Sequence, residues 1–179
     1  MFNIKSKILK NHFFKAGHFE LALKASEIAK KAKPGQFAQI KVGGDGLLLR
    51  RPFSFLDANP EKGEIKIWYR VIGKGTLALS KMKVGEELDI IGPLGNNFYL
   101  NEGAKTLVLV GTGCGVANLL FFTKTVLNNP SLVYRSTEKI KSNFKIYVIV
   151  GARTKEFLLG EKEFEGYNIE TLVSTDDGS

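Results

Sequence analysis

The sequence predicts a β + α/β chain: an antiparallel β-barrel at the N-terminus, followed by a partial parallel α/β unit. Three observations carry this. Up to about residue 98, short stretches alternate apolar and polar side chains between closely spaced turn signals, as half-buried strands of a small barrel or sandwich do. From about residue 104, compact apolar runs rich in β-branched residues flank a stretch with helical spacing, the rhythm of parallel strands covered on both faces. A glycine-rich turn joins the first of these runs directly to that helix. The domains expected are therefore 1–98 and 99–179.

In chain order, His18–Lys24 (HFELALK) places Phe19, Leu21 and Leu23 on one face of a strand, and Gln36–Val42 and Glu64–Ile72 alternate in a similar way. Pro34-Gly35, Gly43-Gly44-Asp45-Gly46, Asn59-Pro60 and Gly92-Pro93 read as turns, as does Asn96-Asn97 after Gly95. One short helix is expected over Thr76–Met82. Lys105–Val110 (KTLVLV) is a buried strand, and apolar residues at 116, 119, 120, 126 and 127 give a helix over Val116–Leu127. Asn128–Asn143 is polar and reads as loop or helix end. Phe144–Val150 and Ile169–Ser174 supply two further strands. The second unit holds about three strands, small for a nucleotide-binding sheet, and the chain reads as cut short after TDDGS.

Composition sets limits on function. Hydrophobic residues at 44% and charged residues at 25% are ordinary for a soluble globular protein. No apolar run is long enough for a membrane span, and the start MFNIKSKILK lacks the apolar core of a signal peptide, so a cytoplasmic location is expected. The single cysteine, Cys114, can form no internal disulfide and cannot alone hold zinc or an iron–sulfur cluster. A net charge of +8 suits anionic partners. The lysines are scattered apart from a patch at Lys30, Lys31 and Lys33, which reads as a solvated surface rather than a nucleic-acid site. His12 and His18 read as surface residues with no hydrolytic or metal-binding constellation around them, and no catalytic side chain is singled out.

Three stretches can carry chemistry. In LLLRRPFSF (47–55), Arg50 or Arg51 can pair with phosphate through a planar fork, Pro52 fixes the backbone, Phe53 offers a flat apolar face and Ser54 a hydrogen bond. The plainer alternative is an edge strand with surface arginines and a core phenylalanine. In WYRVIGKGTL (68–77), aromatic residues precede a Gly-Lys-Gly-Thr turn whose glycines let backbone N–H groups approach an anion, with Thr76 as the helix cap. The alternative is a glycine turn between a core strand and a helix. In LVGTGCGVAN (109–118), a strand–turn–helix with GxGxG spacing can place a pyrophosphate or nicotinamide at the helix start. Cys114 can face a bound ring there, or simply pack.

Together with AKPGQF (32–37), IGPLGNNF (91–98) and STDDGS (174–179), these stretches resemble the ferredoxin-reductase superfamily, and within it the electron-transfer subunits of NAD-dependent dihydroorotate dehydrogenases. The resemblance implies FAD on the barrel. Arg51 would hold its phosphates, Phe53 would lie near the isoalloxazine and Ser54 would reach the ring edge, with Pro52 between them. Trp68, Tyr69 and Arg70 would contact the ribityl and adenosine portions, and Gly75 and Thr76 would form the pyrophosphate turn. Gly111, Thr112, Gly113, Cys114 and Gly115 would form the loop for NAD(H), the electron donor. The implied partner is a dihydroorotate dehydrogenase catalytic subunit in a heterotetramer serving pyrimidine biosynthesis. Hydride would pass from NADH to FAD, and a [2Fe–2S] cluster would relay electrons onward. Two departures stand out. Asn118 replaces a usual proline and Cys114 a usual aliphatic residue, and the four cysteines of the C-x4-C-x2-C…C cluster motif are absent, so the chain is expected to be truncated or a cluster-free relative. The competing readings are a stand-alone NAD(P)H-dependent flavin or ferredoxin reductase, an inactive fragment, and a nucleic-acid-binding barrel.

Overall fold

The computed structural model describes residues 1–43, 48–101, 103–134 and 145–179. The expected turn at 44–46, Leu47 of the RPFS stretch, residues 135–143 of the polar segment and Phe144 lie outside the described residues. The elements are β1 (Phe2–Lys15), β2 (His18–Lys24), α1 (Ser26–Ala29), β3 (Phe37–Lys41), β4 (Arg51–Asn59), β5 (Glu64–Arg70), α2 (Lys74–Lys81), β6 (Glu87–Leu94), β7 (Thr106–Thr112), α3 (Val116–Asn128), β8 (Lys145–Ala152), α4 (Glu161–Glu165) and β9 (Thr171–Thr175).

Strands β1 to β6 close into an antiparallel barrel in the order β1-β2-β5-β4-β3-β6. Closure leaves no open strand edge. Alternation sets the interior: Leu21 and Leu23 of β2, Ala38 and Ile40 of β3, Phe53 and Phe55 of β4 and Ile65, Ile67 and Tyr69 of β5 point inward. β4 pairs with β3 over Arg51–Ser54 and with β5 from Phe55 onward, so the RPFS stretch is laddered on one side only. Gly92-Pro93 falls within the end of β6 instead of forming a turn. The β3–β6 register shifts there, so proline's missing N–H interrupts no regular ladder.

Strands β7, β8 and β9 form a parallel sheet in that order, and α3 packs across it. Leu109, Val148 and Val150 face the core, whereas Val108 and Val110 are 60% and 64% exposed on the other side. Among the described residues this sheet is thus not covered on both faces along β7. Its apolar run reflects strand propensity there as well as burial.

α3 is buried over more than one stripe because it lies between the barrel and the sheet. Phe121 joins the barrel core, while Leu120, Phe122 and Val126 join the second. Leu127, expected on the buried face, is instead exposed, since the wedge turns that position to solvent. Two polar contacts tie the helix to the barrel: Lys124 Nζ pairs with Asp57 at 2.7 Å, and Asn118 Oδ1 accepts from the Gly35 N–H at 3.3 Å. The asparagine that departs from the family pattern thus links helix to barrel loop.

Candidate functional site

The antiparallel pairing of β4 with β5 brings the start of one strand beside the end of the other. Arg51–Ser54 and Trp68–Arg70 therefore meet at one end of the barrel, where the chain continues into α2. The start of α3 approaches the same end. Together they enclose a cavity of about 780 Å³. Of the residues that the resemblance assigns to FAD or NAD(H), all but Gly111, Thr112 and Gly113 line it, whereas Arg50, the other arginine of the adjacent pair, does not. Ile72, Gly73 and Lys74 line it too. They were not singled out, although they lie within the WYRVIGKGTL stretch and fill the gap between its chosen residues.

The two adjacent arginines take different roles. Arg50 donates to the Asp89 carboxylate and to its carbonyl, both at 2.9 Å, which fixes it to β6. Arg51 lines the cavity and donates to the Leu49 carbonyl. A Cβ on Gly75 would lie 2.9 Å from Arg51 Nε, so the glycine makes room for the guanidinium beside the first turn of α2. Thr76 is not the cap residue itself but the third residue of α2. Its Oγ1 accepts from the N–H groups of Ile72 and Gly73 at 3.0 and 3.2 Å, bracing the turn from inside the helix.

The aromatic wall is held from behind. Tyr69 stands edge-on to Phe53, stacks on Phe19 and donates its hydroxyl to Asn11 Oδ1 at 2.8 Å. Asn11 Nδ2 in turn donates to the carbonyls of Leu79 and Met82, which keys α2 to the barrel. Burial pushes the Tyr69 hydroxyl above its ordinary range, so it remains a neutral donor. Trp68 points away from the barrel interior into the second core, and its Nε1 donates to Glu20 Oε2 at 3.4 Å. Cys114 closes the far side. Burial pushes its thiol up to about 11, so it presents a neutral, soft wall and no thiolate. Among the described residues, the lining thus combines aromatic and aliphatic faces with Arg51, Arg70, Lys74 and the N–H groups of a helix start, and contains no acid. An elongated ligand with a flat ring system and phosphates fits that donor set.

Thr112 and Gly113 line a smaller cavity of about 170 Å³, with His18, Arg70, Gly151, Ala152, Arg153 and Phe157. Gly111 lines neither cavity. A Cβ there would lie 2.7 Å from Leu119 Cδ1, so this glycine serves the close packing of α3 on β7. Arg70 borders both cavities, its guanidinium 4.6 Å from the centroid of the Phe157 ring. Among the described residues, no group of three His, Cys, Asp or Glu side chains could hold a metal ion.

His18 is not a surface residue: it is 2% exposed. Its Nδ1 lies 3.0 Å from the Lys15 carbonyl, and Phe14 and Phe157 flank the ring. Burial, helped by the charges of Arg70 and Lys15, holds its pKa below the ordinary 6.5. The unfolded chain binds this proton more readily, so the stability that His18 confers is complete above pH 6.5 and is lost as pH falls below it. Urea unfolding at pH 7.5 and 5.5 is expected to show a loss of at most about 1.4 kcal/mol per pH unit from this group, absent in His18→Gln. Equal pH dependence in the two proteins would exclude the effect.

Comparisons with known proteins bear on the family and the fold. The family model described as the oxidoreductase FAD-binding domain matches residues 4–99. The dihydroorotate dehydrogenase B (NAD(+)) electron transfer subunit of Desulforamulus reducens is 34% identical over 97% of this chain and 62% of its own length. That of Caldanaerobacter subterraneus is 36% identical over 98% of this chain and 62% of its own length. Among solved structures, the NADH-dependent reduced ferredoxin-NADP oxidoreductase superposes with a TM-score of 0.79 at 30% identity, over 97% of this chain and 57% of that one. A flavohemoglobin from Malassezia yamatoensis gives a TM-score of 0.77 at 21% identity, over 98% of this chain and 46% of that one, a likeness of fold. The chain therefore spans less than two thirds of the length of these two curated relatives.

Proposed function

Since the chain belongs to the oxidoreductase FAD-binding domain family, we propose that it is the flavin-bearing portion of an electron-transfer subunit that passes electrons between NAD(H) and a dihydroorotate dehydrogenase catalytic subunit through FAD, in pyrimidine biosynthesis. The observation that carries this reading is the convergence of the RPFS stretch, the WYR…GKGT stretch and the start of α3 on one cavity with cations and no acid in its lining. The curated relatives named above support the choice of partner. The reading divides the chain into an FAD-binding barrel, 1–98, and part of an NAD-binding α/β domain, 99–179, in a cytoplasmic assembly.

The residues present fit FAD. Arg51, beside the space left by Gly75, would hold phosphate together with the α2 N–H groups braced by Thr76. Phe53 would support the ring system, with Pro52 and Ser54 at its edge. Trp68, Tyr69 and Arg70 would line the ribityl and adenosine portions. The 111–115 segment would present the nicotinamide. FAD, when bound, supplies the conversion of two-electron to one-electron transfer. The chain's own share is to orient the reactants, exclude water through the aromatic wall and keep the Cys114 thiol neutral beside them. A [2Fe–2S] relay would need thiolates that one cysteine cannot supply.

The test is to purify the protein, release any flavin by denaturation and identify it by chromatography, then mix the flavin-loaded protein with NADH, a dihydroorotate dehydrogenase catalytic subunit and orotate. The expected results are stoichiometric FAD and its reduction by NADH. Protein that takes up no added FAD would defeat the proposal. The likeness to the NADH-dependent reduced ferredoxin-NADP oxidoreductase favours a second reading, a ferredoxin-linked reductase. Efficient ferredoxin reduction without transfer to the catalytic subunit would select it.

A further inference from the structure

The smaller cavity lies where the C-terminal ends of β7 and β8 meet β2 and the end of β5. Parallel sheets receive ligands outside the carboxyl ends of their strands. The cavity is lined by Arg70, Arg153 and the buried His18, and by no acid. Among the described residues, the charges that act on the imidazole or share its cavity are Lys15 from β1, Arg70 from β5 and Arg153 just after β8, all cations. Backbone at Gly113 and Gly151 completes the lining without side chains to block entry.

Resting on the reading that the chain docks a nicotinamide dinucleotide, we infer that His18, with Arg70 and Arg153, receives the dinucleotide's phosphates and takes up one proton as they bind. The argument concerns the two ring nitrogens. Nδ1 is committed to the Lys15 carbonyl at 3.0 Å, so in the neutral ring it carries the hydrogen and donates. Nε2 then holds a lone pair, which repels a phosphate oxygen. Protonation converts Nε2 into a second donor and makes the contact charge-assisted. Without an anion, burial and the neighbouring cations keep the ring neutral. Phosphate charge reverses the local field and favours the imidazolium. The proton comes from solvent and stays on Nε2, and no covalent bond other than that N–H changes. A dinucleotide's pyrophosphate does not titrate near neutral pH, so any proton taken up belongs to the protein.

NAD+, which carries the same pyrophosphate and cannot reduce the oxidised flavin, is titrated calorimetrically into the FAD-loaded protein in two buffers of different ionisation enthalpy, and the titration is repeated from pH 8 to pH 6. Net uptake approaching one proton is expected, with Kd tightening by up to about tenfold per pH unit as the pH falls through the titration of the bound form. His18→Gln should bind NAD+ more weakly, with no uptake and no pH slope. Arg153→Gln should bind more weakly but retain the uptake. Normal NAD+ binding without proton uptake in the wild type overturns the inference while leaving the proposed function intact, and so does uptake that persists in His18→Gln. The wild-type titration decides alone if His18→Gln does not fold. Failure of NAD+ to bind at any pH defeats the dinucleotide reading itself, and this inference with it.

Discussion

Arg51→Ala is expected to weaken FAD binding roughly 10- to 150-fold, about 1.5–3 kcal/mol, while the fold is kept. The reason is geometric. Arg51 contributes its guanidinium to the cavity wall, and its backbone partners in the β3–β4 ladder do not depend on the side chain. Arg50→Ala is the matched control. That neighbour spends its donors on Asp89, at a partly exposed site where an ion pair contributes little to stability. Its loss should leave flavin affinity near wild type. Titration of FAD into the three proteins, with circular dichroism as the folding check, decides the matter. Equal affinities for Arg51→Ala and wild type would remove Arg51 from the site.

Gly111→Val is expected to destabilise the protein by about 1–3 kcal/mol and to impair the site as well. A Cβ at this position would lie 2.7 Å from Leu119 Cδ1 and 3.4 Å from Val116 Cγ2, and Val116 is fully buried. The Leu119 side chain must therefore shift, and the valine methyls press on Val116 at the start of α3. Cys114 and Gly115 directly precede Val116 and wall the large cavity, so pressure on Val116 is expected to reach the ligand site. Gly115→Ala is the contrast: an added Cβ there meets nothing within 4 Å, so stability should change little. Denaturant midpoints for the two variants test the pair. A Gly111→Val protein as stable as wild type would show that the helix can yield without cost.

The barrel and the parallel sheet were legible because their signals are local. Leu21 and Leu23, or Ile65 and Ile67, announce an inward face by alternation alone, and the run from Lys105 to Val110 needs no partner to read as a strand. The convergence of the three site stretches was legible through motif order more than through periodicity. Residues whose role depends on distant partners were not. Nothing near Arg50 and Arg51 distinguishes them, because the deciding group, Asp89, lies 39 residues away. His18 looked like a surface residue because Phe157, part of what buries it, belongs to a segment far along the chain. Leu127 fitted the helical stripe, but a helix between two cores buries a broader and differently centred arc than one stripe predicts.

The position of Trp68 makes the molecule its own optical instrument. It is the sole tryptophan of the chain, it is 5% exposed, and it sits in the seam between barrel and sheet with one side on the large cavity. Its emission therefore comes from a single, apolar environment. A ring system in the cavity would lie within energy-transfer range, so quenching of that emission counts occupied molecules without any label. In an unfolding experiment the same indole reports when water enters the seam, not when the barrel opens. Comparing its red shift with far-ultraviolet ellipticity separates those two events in one unmodified sample.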